Sequence, residues 1–98
     1  MQKVQIPNVL QEVTKKVGKI VGQEQFDLLN IQLTAGEEVP AHSVNNTAIV
    51  IVRRGEVLFN VEGEDVLLIG EDVLIFAPDE MHSLKAITEV DLVVIRFK

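Results

Sequence analysis

The sequence predicts an all-β chain, two antiparallel sheets closed into a barrel around one pocket. Three observations predict it. Apolar residues make up 47% of the 98, yet only 4% are aromatic, all of them Phe. The core must therefore come from Val, Ile and Leu, the first two of which suit pleated sheets. The apolar residues fall in many short runs, separated by turns rich in Gly, Asp and Glu. No run alternates with a long helical pattern, so βαβ units are not expected.

The N-terminal segment holds the one helix candidate. Pro7-Asn8 precedes Val9, Leu10, Val13 and Val17, a one-sided spacing. Asn8 suits an N-cap, Gln11 stands where a capping-box partner would, and Gly18 is a natural stop. One or two helical turns over residues 8–16, outside the barrel, are expected.

Strand candidates follow at Lys19–Val21, Phe26–Leu33, Val39–Val44, Thr47–Val52, Val57–Val61, Val66–Ile69, Val73–Phe76 and Val90–Phe97. Gly36, Gly55, Gly63 and Gly70 lie in the turns, where positive φ is expected of them. The phrase Gly-Glu-Asp-Val-Leu occurs at Gly63 and again at Gly70, as reused turn chemistry. With Ala48, Val50 and Val52 facing inward, Ile49 and Ile51 face outward. Val93 and Ile95 alternate with Leu92 and Val94 in the same way. Both faces of these strands are apolar, and a second sheet covers only one. The other needs a partner subunit or the N-terminal segment, so a two-fold homodimer is expected.

Composition narrows the function classes. Nine Lys and Arg stand against fifteen Asp and Glu, a formal net charge of −6. That balance argues against nucleic acid and against an anionic membrane surface as partners. No apolar run approaches the roughly 18 residues of a membrane helix. The first residues lack a signal-peptide core. There is no Cys, hence no disulfide, thiolate nucleophile or Cys-ligated metal. A cytoplasmic setting is expected. Residues 1–98 read as a single domain, with an N-terminal segment over 1–16 and a barrel over about 17–97.

Two segments carry chemistry. The first runs from Gly36 through His42, Val44 and Ala48 to Gly55. The second runs from Gly70 through Asp72, Pro78, Glu80 and His82 to Ala86. Together they resemble the two motifs of the cupin family. The first resembles G-x5-H-x-H-x3,4-E-x6-G: the intervals from Gly36 to His42 and from Ala48 to Gly55 both agree. In the second, His82 follows Asp72 by ten residues, after a Pro turn, with Pro78 one residue later than the family's usual Pro. The resemblance covers about residues 17–97 and implies a double-stranded β-helix, or jelly-roll barrel. It also implies a metal held by two His and a Glu from the first motif and one His from the second. Such donors suit iron, manganese, zinc or nickel. His42 and His82 match the first and last ligands. Val44 replaces the second His and Ala48 replaces the Glu, and neither can bind metal. The resemblance extends to a branch of small bacterial cupins lacking this Glu, and brings no single activity.

The expected ligand pocket comprises His42, Val44, Ala48, Val50, His82 and Leu84. His42 and His82 are candidate metal ligands; the alternative is two hydrogen-bonded, inert barrel residues. Glu37, Glu38, Asp79 and Glu80 read as solvated turn charge, with a third ligand or general base as the alternative. Asn45-Asn46 reads as a turn pair, or a pocket amide. Arg53-Arg54 reads as a solvated hairpin end, or an anion site. Met81 either fills a packing gap or lines a pocket mouth. No phosphate loop and no G-x-S-x-G elbow is present, and no catalytic residue is assigned. The first reading is a small barrel that binds a small molecule. Its rivals are a metal-dependent dioxygenase, isomerase or decarboxylase using His42 and His82, and a non-catalytic dimerisation scaffold.

Overall fold

A computed structural model describes residues 1–98. Nine strands follow one another: β1 (Lys15–Gly22), β2 (Phe26–Leu33), β3 (Glu38–His42), β4 (Ala48–Arg54), β5 (Val57–Val61), β6 (Glu64–Leu68), β7 (Val73–Phe76), β8 (His82–Ala86) and β9 (Val90–Phe97). They form a five-stranded sheet ordered β1-β2-β9-β4-β7 and a four-stranded sheet ordered β3-β8-β5-β6. Every pairing is antiparallel. The chain crosses repeatedly between the sheets, as in a jelly roll. The all-β expectation holds.

The inner faces meet in one apolar core. Ala48, Val50 and Val52 of β4 are buried, while Ile49 and Ile51 between them are only half-buried. Leu33, Val57, Phe59, Val90 and Leu92 complete the centre with almost no exposure. Burial at about 25 cal/mol per Å² of apolar surface is what holds the two layers together.

Tight turns fix which face each strand presents. Glu62 and Gly63, both at positive φ (51° and 85°), form the two-residue loop between β5 and β6. Two such central residues match the right-handed twist of the flanking strands. Gly55 has φ 87°, and a Cβ there would stand 2.0 Å from the Glu89 carbonyl oxygen. Backbone conformation and lack of space both demand glycine. Gly70 departs from expectation: in that turn the positive φ falls on Glu71 (78°).

Two sequence expectations need correction. The helix over residues 8–16 does not form. Asn8 Oδ1 does accept from the Leu10 amide at 2.8 Å, and Val13 N donates to Val9 O at 3.1 Å, but this makes one turn only. The chain from Lys15 onward is taken instead by the edge of β2, so β1 runs four residues further toward the N-terminus than Lys19. Strand pairing outcompetes a short helix, whose nucleation is costly. His82–Ala86 forms a full strand between β3 and β5.

The N-terminal segment lies across the outer face of the larger sheet. Gln32 Oε1 accepts from Val9 N and Gln32 Nε2 donates to Pro7 O, both at 2.9 Å. Arg53 donates to Ile6 O at 3.2 Å. Beneath it Asn30, Gln32 and Asp91 are buried and hydrogen-bonded to one another or to the segment.

Replacing Gly55 by Ala is expected to destabilise the fold by about 3 kcal/mol, combining left-handed strain with a backbone clash. Denaturant unfolding checks this; a loss below about 0.5 kcal/mol would contradict it.

Candidate functional site

Between the sheets, at one end, lies an open-mouthed cavity of about 100 Å³. Apolar side chains from both sheets form most of its wall, among them Leu29, Ile31, Val50, Phe59 and Val94. The only polar side chains lining it are His42, His82 and Arg96. All six residues expected from the sequence, His42, Val44, Ala48, Val50, His82 and Leu84, line this one cavity.

Strand register brings the histidines together. His42 ends β3 and His82 begins β8, and they are direct cross-strand partners. Their ring centroids lie 4.4 Å apart, edge to face at 61°. On its other side His82 stacks on Phe76, at 4.2 Å and 19°. His82 is buried at 8% exposure, whereas His42 occupies the exposed mouth.

Hydrogen bonds decide which ring nitrogen is available. His42 Nδ1 lies 2.9 Å from Pro40 O, and His82 Nδ1 lies 3.0 Å from Glu80 O. A carbonyl oxygen only accepts, so each Nδ1 carries the hydrogen and donates. In the neutral ring Nε2 then holds a lone pair, free to accept from a ligand or to bind a metal. Burial pushes the His82 pKa below its usual 6.5, and the neighbouring His42 adds to this, while the Glu80 carbonyl opposes it. His82 is thus held neutral at pH 7.

Arg96 was not among the expected site residues. It occupies an inward position of β9, in line with Leu92 and Val94, and faces Ala48 across the β4–β9 pairing. Strand parity alone would have found it: residues 92, 94 and 96 share a face. Its Nη2 donates to Asp27 Oδ2 at 3.0 Å, the only hydrogen bond the guanidinium makes. The Lys98 ammonium stands 3.2 Å from Asp27 Oδ1, an ion pair without a directed hydrogen bond. The Arg96 hydrogen bond, with Lys98 and Lys19 nearby, holds the Asp27 carboxyl below its ordinary pKa despite burial.

Other candidates lie elsewhere. Arg53 and Arg54 face Asp91 on the outside of the barrel, at 3.7 and 3.9 Å, and do not line the cavity. Glu80 Oε1 is engaged by the Ala77 amide at 2.7 Å. Glu37, Glu38, Asp79, Asn45, Asn46 and Met81 are absent from the wall. The donor set does not fit a resident metal. No group of three or more His, Asp or Glu side chains converges anywhere in the chain, and ordinary centres need three or four protein ligands.

Residues 31–97 match the family model of the AraC-like ligand binding domain. No curated protein matches the sequence. Among solved structures, an RmlC-like cupin family protein with a double-stranded β-helix fold from Methanocaldococcus jannaschii superposes with TM-score 0.85 at 21% identity, covering 99% of this chain and 91% of that one. The Cupin_2 domain of an XRE family transcriptional regulator from Enterobacter cloacae gives TM-score 0.72 at 22% identity, covering 87% and 97%. Salicylate 1,2-dioxygenase from Pseudoaminobacter salicylatoxidans, in complex with gentisate, gives TM-score 0.79 at 20% identity, covering 85% of this chain and 25% of that one. These likenesses establish the cupin fold. In addition, no helix is long and apolar enough to cross a membrane.

Imidazole nitrogen NMR is expected to show the Nδ1–H tautomer in both neutral rings, with His82 titrating below 6.5. Because the folded pKa is depressed, His82 contributes stability above the unfolded pKa that is lost as pH falls through the folded one. An Nε2–H tautomer in either ring, or a His82 midpoint above 6.5, would contradict the assignment.

Proposed function

The chain belongs to the family of AraC-like ligand binding domains, and from that membership we propose that its barrel cavity binds a small organic molecule, as a binding or regulatory module. The observation that carries this reading is the cavity itself. Its walls are apolar, and its few polar groups converge from separate strands. That combination is what small-molecule sites share. The transcriptional-regulator domain of the same fold agrees with a regulatory role.

A metal-dependent enzyme is the rival reading. The observation favouring it is the pair of available Nε2 atoms. It requires a third donor, and Val44 and Ala48 occupy the positions where the resemblance would place one. Protein purified without a His-tag is therefore expected to carry well under one equivalent of iron, manganese, zinc or nickel. A stoichiometric metal by elemental analysis would reverse the preference.

Assembly follows from the outer face of the larger sheet. Leu28, Ile95, Ile49 and Ile75 stand in one register row, and Val93, Ile51 and Val73 in the next. The N-terminal segment is anchored beside β2 and β9, away from the edge strand β7, where Val73 and Ile75 are 55% and 64% exposed. A second copy of the chain, related by a two-fold axis, is the proposed cover for that edge. The chain would then serve as a homodimer, a role compatible with ligand binding and equally with a pure scaffold.

Two outcomes test these readings. A binding small molecule at a hundred times its Kd is expected to stabilise the fold by about 2.7 kcal/mol. The corresponding rise in thermal midpoint should vanish when Ala48→Leu fills the cavity; an undiminished rise would place binding elsewhere. Light scattering at micromolar concentration is expected to give a dimer mass, and Ile75→Glu a monomer. A monomeric parent protein would end the dimer proposal.

A further inference from the structure

We propose that the cavity's ligand is a small organic carboxylate with an apolar body, and that Arg96 anchors its anionic end. This rests on reading the barrel as a ligand cavity and adds the charge and size of what it takes.

The first support is the inventory of the wall. The chain carries fifteen Asp and Glu against nine Lys and Arg, yet no carboxylate lines the cavity. The only formally charged side chain on the wall is the guanidinium of Arg96. A pocket this apolar inside an acidic protein selects an anion only if its cation is not already neutralised.

The second support is that it is not. Arg96 holds five N–H donors. One hydrogen bond, from Nη2 to Asp27, is all the protein takes from them. Asp27 is itself shared, since Lys98 stands 3.2 Å from its other oxygen. Lys19 Nζ and the same Asp27 oxygen also flank one point, each 3.4 Å from where a Gly22 Cβ would lie. One carboxylate thus pairs with two cations and has a third nearby, and the cluster keeps a net positive charge. Asp27 holds the guanidinium by one nitrogen and leaves the rest of its fork available. A planar fork matches a carboxylate with two parallel hydrogen bonds. The side chain is 32% exposed, which leaves a route for a ligand to reach it.

The third support is position. Arg96 stands at an inward site of β9 directly after Leu92 and Val94 in the same row. Stability alone favours an apolar residue at such a site, because a half-buried charge carries a desolvation cost. The neutral imidazole of His82 does not compete for the anion. Its lone pair at Nε2 repels a carboxylate and accepts from a hydroxyl. The anionic end of a ligand is therefore directed to Arg96 and a donor group to His82.

Size sets the body of the ligand. A closed apolar cavity of about 150 Å³ takes benzene. The present cavity, at about 100 Å³, encloses no more than a small ring or a short alkyl chain, with the remainder in the open mouth.

The test is a methyl-NMR titration of the full chain with benzoate and hexanoate, set against benzamide, benzyl alcohol, a neutral pentose and inorganic phosphate. The methyl signals of Val50, Leu84 and Val94 report the cavity. Both carboxylates are expected to shift them, binding at least about tenfold tighter than benzamide, as a charge-assisted pair implies. Arg96→Met combined with Asp27→Asn, which leaves no unpaired carboxylate, is expected to remove that advantage. Arg96→Lys should keep part of it. Equal binding of benzamide or benzyl alcohol, or a shift by the pentose alone, would overturn the carboxylate claim while leaving the cavity reading in place. So would carboxylate binding that survives the double variant, or a response to phosphate alone. No shift of these methyls with any probe would overturn both.

Discussion

The structure depends on one constraint, the register of β9 between two neighbours. Val90–Phe97 pairs with β2 on one side and β4 on the other. Successive residues of a strand face opposite ways, so a slip of one residue would exchange the two faces entirely. In the observed register Leu92, Val94 and Arg96 face the second sheet, while Asp91, Val93 and Ile95 face out. The reversed register would place Asp91 among core residues and Arg96 in solvent. A buried unpaired carboxylate is costly enough to exclude that alternative. The cavity, its lone cation and the outer apolar rows all follow from this single alignment.

The barrel was legible in the sequence because its strands coincide with short apolar runs bounded by polar turns. Phe26–Leu33, Val57–Val61, Val73–Phe76 and Val90–Phe97 fall where the apolar runs place them. The N-terminal region was less legible because two local preferences compete there. Asn8 caps a turn as its side chain favours, but Thr34 N donates to Thr14 O and begins a ladder with β2. A distant strand edge decides the outcome, and no local spacing reveals it. The repeated Gly-Glu-Asp-Val-Leu makes the same point. At Gly63 it closes a hairpin, Val66 packs on the core and Leu67 is exposed. At Gly70 it carries the chain between sheets, Val73 is exposed and Leu74 packs on the core. Identical residues present opposite faces because the preceding turns differ.

The site was legible to the extent that it depends on spacing. Forty residues separate His42 from His82, yet motif intervals place both at one rim, and the structure makes them cross-strand partners. Arg96 escaped notice because Arg53-Arg54 offered a louder signal of charge. Those two arginines, at β4's outward end, are spent on Asp91 and Glu89. Charge density along a sequence says little about which face a charge occupies. Parity within an apolar strand says more, and a single basic residue in an otherwise inward row is the feature that stands out.

The outer face shows where specificity is held when the inner one is left apolar. Asn30 donates to Asp91 Oδ1 at 2.8 Å and to Leu92 O at 2.9 Å, and Gln32 donates to Asn30 Oδ1 at 2.9 Å. All three side chains are buried. Asp91 also faces Arg53, which reaches Ile6 of the N-terminal segment. Gln32 is the buried side chain of this network that bonds the segment directly, and withdrawing the segment leaves it without two partners. Unpaired buried polar groups cost more than their bonds contribute, so this network fixes an alignment that apolar packing alone would leave loose. Inside the barrel no comparable network exists. Val44 and Ala48 replace donors with methyl groups, and His82 is kept neutral between Phe76 and His42. The fold thus anchors itself from the outside, and the cavity is left with uncommitted polar atoms at Arg96 and the two Nε2 positions.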